Sequence, residues 1–282
     1  MDATSFRVAV IAPESRHGDA ACNCALVTEK LSQAARSGVQ LAVFPQSCIS
    51  GPDDETLAEP FDGPSIDAIA AAVDKTGVAA GVGWIERTGD GRLHDSYAVC
   101  FPGGPRVRHR KLHATHRGLH GGNRFTVFDA PFGVRIGILI GGDNDVVENV
   151  RMTALMGATL LIAPMSGAAS RRAPLVARAA DNGMYIAYSH PSSDEAMIVG
   201  PDGRVLARGS TAHGGLIVAQ VKPALAEASM GRRALAARRP DLYEPLARQG
   251  SAYPLAAEPE RVTSRGALPL SFAIVGRNRV VR

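Results

Sequence analysis

VRIGILIGGD, residues 134–143, is the stretch of the chain with the clearest structural signal. Val134–Ile140 is almost entirely apolar, which is typical of a buried strand, and two glycines and Asp143 follow it directly. A helix is predicted next at Asn144–Met156, and a second apolar strand at Thr159–Ala163. The alternation of buried strands with a helix indicates an α/β fold.

The same alternation extends in both directions from this stretch. Turns such as Gly89-Asp90-Gly91 join neighbouring strands into hairpins, so the predicted sheets are mixed. The other predicted strands are Phe6–Ala12, Gln40–Phe44, Val78–Glu86, Ser96–Phe101, Val107–His113, Met184–Ser189, Ala196–Val199, Val205–Arg208 and Gly215–Val221. The other predicted helices are one capped by Asp19 and running through Ser37, Ser65–Thr76 and Ala173–Asn182.

Composition limits the class of protein. The chain has 282 residues, 45% of them hydrophobic, a formal net charge of +4, and no apolar run long enough to span a bilayer. Its N-terminus lacks a basic region followed by a long apolar one, so a cytoplasmic location is expected. Basic residues do not alternate with aromatic ones, so neither a nucleic acid nor a membrane is an expected partner.

The cysteines carry little signal of their own. Cys22, Cys24, Cys48 and Cys100 include no C-x-x-C pair, so a zinc ribbon is not expected. Without a secretion signal, we expect all four thiols to be reduced.

Short polar motifs follow several of the predicted strands. Gln46 ends Val43-Phe44-Pro45-Gln46, Lys111 lies in Arg110-Lys111-Leu112-His113, and Gly141 lies in the stretch quoted above. Two further motifs, Ala177–Asn182 and Arg238–Tyr243, lie downstream. In their order and spacing, these motifs resemble those of the nitrilase (carbon–nitrogen hydrolase) superfamily.

The resemblance implies an architecture. Members of the superfamily form a four-layer α-β-β-α sandwich of two mixed β-sheets, and they form dimers through helices on one face. We therefore expect residues 1–249 to form a nitrilase-like domain, residues 250–282 to form a C-terminal tail, and the protein to be a homodimer. The resemblance implies no cofactor and no metal ion.

The resemblance also implies a reaction, the cleavage of amides or nitriles by a cysteine, a glutamate and a lysine. The cysteine thiolate attacks the carbon and forms a covalent intermediate. The glutamate takes the thiol proton and later activates water. The lysine ammonium stabilises the negative charge that develops.

This chain departs from that set of residues. Gly141 aligns with the cysteine and Gln46 with the glutamate, whereas Lys111 is retained. Glycine has no nucleophile, and a neutral amide cannot take a proton at pH 7. Gly142 replaces a tyrosine of the family motif, and the second glutamate that the family places before the cysteine strand is absent, since Leu112–Ile140 contains no glutamate.

The retained residues predict a pocket. Gln46 and Gly141 are expected at its reactive centre, and the expected ligand-binding residues are Lys111, His113, Gly142, Asp143 and Cys48. Buried structural support is expected from Glu148, Arg151, Arg178 and Asn182. With glutamine at position 46, the Lys111 ammonium is expected to lack a negative neighbour unless Asp143 or a bound carboxylate supplies one.

We therefore interpret the chain as a catalytically inactive relative that binds a small molecule, such as a carboxylate or an amide, or that has a regulatory role. A carbon–nitrogen hydrolase with altered machinery is one alternative, and a structural or interaction subunit is another. The altered machinery could use Cys48 as a relocated nucleophile. It could instead use a metal ion, with His109, His113, His116, His120, Asp143 and Asp145 as the candidate ligands.

Overall fold

The computed structural model describes residues 5–11, 13, 15–51, 55–114, 118–167, 171–191, 195–209 and 215–247. The chain groups into two units, Met1–Arg238 and Arg239–Arg282. The described part of the second unit contains two short 3-10 helices, Pro240–Leu242 and Glu244–Ala247. The predicted tail, 250–282, lies outside the described residues, so the domain boundary at residue 249 stays a prediction.

The described part of the first unit contains two six-stranded sheets. The strands of the first sheet are β1 (Phe6–Ile11), β2 (Leu41–Val43), β3 (Ala79–Arg87), β4 (Leu93–Cys100), β5 (Arg106–Arg110) and β12 (Leu216–Val221). Those of the second are β6 (Thr126–Ala130), β7 (Val134–Ile138), β8 (Leu160–Pro164), β9 (Tyr185–Ser189), β10 (Met197–Val199) and β11 (Val205–Arg208). Their orders are β12-β1-β2-β3-β4-β5 and β11-β10-β9-β8-β7-β6.

Both sheets are mixed, as the sequence predicts. In each sheet the three central strands are parallel, β1-β2-β3 in the first and β7-β8-β9 in the second. The strands that flank them pair antiparallel. Strand β8 is buried along its whole length, because apolar layers cover both of its faces.

Helices cover the outer face of each sheet. The outer helices are α1 (Ala20–Arg36), α2 (Pro64–Thr76), α3 (Val147–Leu155), α4 (Arg172–Asn182) and α6 (Met230–Ala236), whereas the short α5 (Pro223–Glu227) contributes Ala226 to the cluster between the sheets. Helix α1 begins where the sequence predicts, since the Asp19 carboxylate accepts a hydrogen bond from the Cys22 backbone N–H at 2.8 Å. Residues of α1 and α2 pack on the first sheet, and residues of α3, α4 and α6 pack on the second.

A third apolar cluster fills the space between the two sheets, with Val8 and Val43 from one sheet and Ile138 and Ile162 from the other. The four-layer α-β-β-α sandwich is therefore confirmed. Some details differ from the sequence prediction. Strand β6 and helices α5 and α6 were not predicted. The helix expected from Asn144 begins only at Val147, after a 3-10 turn at Gly141–Asn144.

Candidate functional site

Three strand ends bring together Gln46, Lys111 and Gly141. Gln46 follows β2, Lys111 follows β5 directly, and Gly141 follows β7, so both sheets contribute. A β-carbon built on Gly141 would lie 2.7 Å from Gln46 Oε1 and 3.4 Å from Lys111 Nζ. The positions that the resemblance aligns with the family's glutamate, lysine and cysteine therefore converge on one point.

A tight turn fixes the Gln46 backbone at this point. Ser47 has a positive φ of 55°, and the Gln46 N–H donates to the Met165 carbonyl at 3.2 Å. Strand β3 approaches the turn so closely that a β-carbon on Gly83 would lie 2.5 Å from the Ser47 nitrogen. Only glycine allows this approach, because a larger residue would displace the turn.

Asp95, a residue that the sequence analysis missed, joins Gln46 to Lys111. Its side chain is buried on β4, where Oδ2 accepts a hydrogen bond from Gln46 Nε2 at 3.0 Å and lies 3.5 Å from Lys111 Nζ. Its backbone carbonyl accepts the Lys111 N–H at 2.8 Å. The expectation that Lys111 lacks a protein anion is therefore wrong, since Asp95, and not Asp143, supplies the charge.

Asp95 also orients the Gln46 amide. A carboxylate can only accept hydrogen bonds, so the amide must present its NH2 group to Asp95 and its oxygen to the opposite side. That oxygen, Oε1, is buried and has no hydrogen-bond partner among the described residues. It faces Gly141, whose β-carbon position would lie 2.7 Å away. An unpaired buried acceptor of this kind is unfavourable unless water or a ligand satisfies it.

Asp143 acts as a brace. Its carboxylate is fully buried and accepts hydrogen bonds from the backbone N–H groups of Leu112 and His113, at 2.8 and 2.9 Å. It also lies 3.0 Å from His113 Nδ1, while Asn149 Nδ2 donates to the Asp143 backbone carbonyl. Asp143 thus ties the segment after Lys111 to the end of β7, and the backbone position of Lys111 depends on it.

Two predicted ligand-binding residues lie at the edge of this arrangement. The His113 side chain is 55% exposed and contacts Asp143. Gly142 is half-buried, and a β-carbon built on it would approach only Asp145 Oδ2, at 3.8 Å. A β-carbon at position 142 would therefore fit without displacing a neighbour.

Cys48 lies elsewhere. Its side chain packs in the apolar cluster between the first sheet and helices α1 and α2, and its thiol points to the Gly83 carbonyl at 3.8 Å. Burial raises the pKa of the Cys48 thiol to about 12. The structure does not place this thiol with Gln46, Lys111 and Gly141, as its predicted role in ligand binding requires.

The four residues expected to give buried support divide into two groups. Glu148 is exposed on α3, so the expectation of a buried role for it is wrong. Arg151 donates to the Asp181 carbonyl at 2.9 Å, and buried Asn182 donates to the Arg178 carbonyl at 2.8 Å. Arg151 thus links α3 to α4, and the bond between Asn182 and Arg178 lies within α4; neither bond involves Gln46, Lys111 or Gly141.

The candidate metal ligands do not gather. His109 is buried against Thr126 Oγ1, His113 contacts Asp143, and Asp145 pairs with Arg171. His116 lies outside the described residues. Within the described ranges, no group of three His, Cys, Asp or Glu side chains is close enough to hold a metal ion. Across the same ranges, no helix has the length and apolar character needed to cross a bilayer.

Two known proteins illustrate the sequence similarity of this chain. A hydrolase from the pqqF 5' region of Pseudomonas protegens is 29% identical over 274 residues, which cover 87% of this chain and 93% of the relative. An (R)-stereoselective amidase of Pseudomonas sp is 28% identical over 218 residues, covering 73% of this chain and 77% of the relative.

Solved structures of a nitrilase-superfamily amidase from Nesterenkonia have the same fold. One variant aligns with a TM-score of 0.74 at 19% identity, covering 87% of this chain and 98% of the amidase. Another, in which a glutamate is replaced by glutamine and a cysteine by alanine, is in complex with acrylamide and aligns with a TM-score of 0.73 at 19% identity. The sequence model of the carbon-nitrogen hydrolase family matches residues 7–229. The chain therefore belongs to the carbon-nitrogen hydrolase family.

Proposed function

We propose that this protein is a non-hydrolytic member of the family that binds a small neutral amide between Gln46, Lys111 and Gly141. The observation that carries the proposal is the convergence of these residues within 2.7 to 3.4 Å of one point that lacks a side chain. Glycine supplies no nucleophile there and glutamine supplies no base. The same point retains a hydrogen-bond donor and an acceptor.

The hydrogen-bonding groups favour an amide over a carboxylate. Lys111 Nζ can donate to a carbonyl oxygen, and the unpaired Gln46 Oε1 can accept an N–H. If one oxygen of a bound carboxylate accepted a hydrogen bond from Lys111, its other oxygen, which is also negatively charged, would face the Gln46 Oε1 acceptor and lie near Asp95. The Nesterenkonia amidase variant in complex with acrylamide supports the proposal, because its two substitutions are of the same kind as the Gln46 and Gly141 differences.

The alternative with altered machinery has less support. A relocated nucleophile at Cys48 would need a thiolate, but burial holds the pKa of this thiol at about 12, far above neutral pH. Metal-assisted hydrolysis would need clustered ligands, and His109, His113 and Asp145 each have a separate partner. Neither arrangement places a reactive group beside Lys111.

Binding and turnover test the proposal directly. In calorimetric titrations, acrylamide and butyramide are expected to bind the purified protein, whereas butyrate binds more weakly. No ammonia is expected to be released. The Gln46→Met variant, which removes the amide oxygen and keeps the volume, is expected to lose most of the amide affinity. Ammonia release from these amides by the unmodified protein would overturn the proposal.

Restoring the chemistry gives a second test. The Gln46→Glu/Gly141→Cys double variant is expected to hydrolyse small amides at least on the order of 10³-fold faster than the unmodified chain, because removing a nucleophile from a catalytic triad costs even more. Gln46→Glu/Gly142→Cys, with the thiol one residue further along, is the matched control and is expected to remain inactive. Equal activity of the two variants would show that Gly141 is not the position of the missing nucleophile.

We further propose that the protein is a homodimer formed through α3 and the residue after it. Val147, Met152, Leu155 and Met156 present exposed apolar side chains there. Exposed apolar groups on one helix are typical of a protein interface. Size-exclusion chromatography with light scattering is expected to give a dimer mass, and Met152→Glu/Leu155→Glu a monomer. A monomeric unmodified protein would exclude this interface.

A cytoplasmic location is part of the same proposal. The thiols of Cys22, Cys24, Cys48 and Cys100 are all free, which suits a reducing compartment. Fractionation of cells that express the chain, with detection by antibody, tests the location.

A further inference from the structure

An arginine-rich surface lies on β5, next to the amide site proposed above. Arg108 and Arg110 are two residues apart on this edge strand, so their side chains leave the same face of the sheet. Both contact the buried Glu86 carboxylate, Arg108 Nη1 at 2.6 Å and Arg110 Nε at 2.8 Å. One buried carboxylate therefore holds two guanidinium groups in fixed orientations.

Glu86 neutralises only one of these two charges. Burial favours its neutral form, but hydrogen bonds from Arg110 and Ser96 and the charges of Arg108 and Arg110 outweigh this and lower the pKa of Glu86. The residue is therefore ionised at neutral pH. The two arginines and Glu86 together carry one net positive charge.

A cavity of about 250 Å³ adjoins these arginines. Its described lining consists of Arg108, Arg110, Gly122, Asn123, Arg124 and Thr126, with no acidic side chain among them. Arg124 is exposed and has no hydrogen bond or ion pair with a described residue. Together with Arg108 and Arg110, it brings the net charge around the cavity to about +2, counting one charge for each ionised group.

A second cavity continues from the first. It has a volume of about 400 Å³ and shares Arg110, Gly122 and Asn123 with the smaller one. Thr88 and His94 add uncharged hydrogen-bonding groups to its lining, while Arg92 there is paired with Asp90. The smaller cavity is therefore strongly cationic, and the larger one is polar with charges that nearly balance.

We propose that the two cavities bind a small phosphorylated molecule, with its phosphoryl group in the smaller cavity between Arg108, Arg110 and Arg124. A phosphoryl dianion matches the net charge of this cavity, and the guanidinium N–H groups that do not bind Glu86 can donate charge-assisted hydrogen bonds to phosphate oxygens. The larger cavity takes the uncharged part of the molecule. The need to neutralise Glu86 would explain why Arg108 and Arg110 lie here. It does not explain the position of Arg124, which does not contact Glu86.

This site is separate from the one proposed for an amide. Lys111 follows Arg110 directly, and consecutive side chains leave an extended chain on opposite sides. The loop that closes the cationic cavity is nevertheless bonded to the segment of Lys111, because the Gly122 N–H donates to the Lys111 carbonyl at 2.7 Å. A β-carbon on Gly122 would lie 2.5 Å from the Arg110 carbonyl oxygen, so this close contact requires glycine.

Titration calorimetry at constant ionic strength tests the site, with inorganic phosphate and glycerol 3-phosphate as the probes. We expect both to bind the full chain, glycerol 3-phosphate more tightly. Arg124→Ala is expected to weaken binding about tenfold or more, which is the loss of one charge-assisted hydrogen bond. This variant removes an exposed side chain that has no described polar partner, so the protein is expected to fold normally.

Two further variants make the result specific. Arg124→Lys keeps the charge and is expected to retain part of the affinity. Arg135→Ala removes a half-exposed arginine that pairs with Asp129 away from the cavity and is expected to leave the affinity unchanged. Equal weakening by Arg124→Ala and Arg135→Ala would reduce the effect to general charge and overturn the proposal, as would the absence of binding by the unmodified chain. Acrylamide binding provides an independent readout of the Lys111 site in each variant.

Discussion

Asp143 and Gln46 are both buried, but they differ in how completely their side chains are hydrogen-bonded. Asp143 is fully buried, and each of its carboxylate oxygens accepts a backbone N–H. Gln46 is also buried, but only its NH2 group is bonded, and its oxygen has no partner among the described residues. We call Asp143 and the backbone groups of Leu112 and His113 that it binds the frame of the site. We call Gln46, Lys111 and Gly141 its centre.

The difference is consistent with a bracing role for Asp143 and with the ligand-binding role proposed for Gln46. Asp143 is fully hydrogen-bonded, while Gln46 keeps an unpaired acceptor near Lys111. The contrast is consistent with the proposed binding of a ligand without a covalent reaction. Substitutions at Asp143 and at Gly141 test it.

The largest effect is expected from breaking the frame. Asp143→Asn replaces one acceptor oxygen with an NH2 group that faces a backbone N–H donor, so the free energy of unfolding is expected to fall by about 3–4 kcal/mol. Chemical denaturation measures this change. Asp145→Asn is the matched control, because its ion pair with Arg171 is 43% exposed on the aspartate side, and it is expected to cost less than about 1 kcal/mol. Similar losses for both variants would mean that Asp143 is not a special brace.

The fold was largely predictable from the sequence, whereas the site was only partly predictable. The apolar run that ends at Ile140 identified β7, and Asp19 identified the start of α1, since both signals are local. Strand β6 was missed because it lies at a sheet edge, where four of its five residues are at least partly exposed. Such a strand lacks the apolar pattern by which buried strands are recognised.

Asp95 and Glu148 show more clearly what the sequence could not predict. Asp95 reaches Gln46 and Lys111 only because β4 pairs with β5 in one register, and the sequence does not reveal that register. A carboxylate within an otherwise buried strand was nevertheless a usable signal, because a buried charge requires a partner. Glu148 was expected to be buried, but the resemblance does not tell which side of a helix faces solvent.

Acid is expected to destabilise the fold through His109, which is buried on β5. Burial, and secondarily the charge of Arg124, lower the pKa of His109 from 6.5 to about 4. Between these values the unfolded chain binds a proton that the folded chain does not. The stability that neutral His109 contributes is therefore complete above pH 6.5 and is lost as the pH falls toward 4, by about 3 kcal/mol.

Denaturation of the unmodified protein and of His109→Gln at pH 7 and pH 4.5 measures this term. Glutamine cannot be protonated in this range and can still bond Thr126, so the variant is expected to lose less stability on acidification. The exposed His17 serves as the control, and His17→Gln is expected to follow the unmodified protein. An equal pH dependence of His109→Gln and the unmodified protein would contradict the buried neutral state of His109.

The smallest of these changes tests the centre itself. Gly141 has a φ of +56°, and a β-carbon there would lie 2.7 Å from Gln46 Oε1, whose amide group Asp95 holds in place. Gly141→Ala is therefore expected to lower the free energy of unfolding by about 2 kcal/mol, mainly through the left-handed backbone, and to block acrylamide binding by placing a methyl group against Gln46 Oε1. Gly142→Ala, whose β-carbon would approach no atom closer than Asp145 at 3.8 Å, is expected to alter neither quantity strongly. If Gly141→Ala bound acrylamide as tightly as the unmodified protein, the space at Gly141 would not be the binding site, and the contrast between a satisfied frame and an open centre would lose its functional meaning.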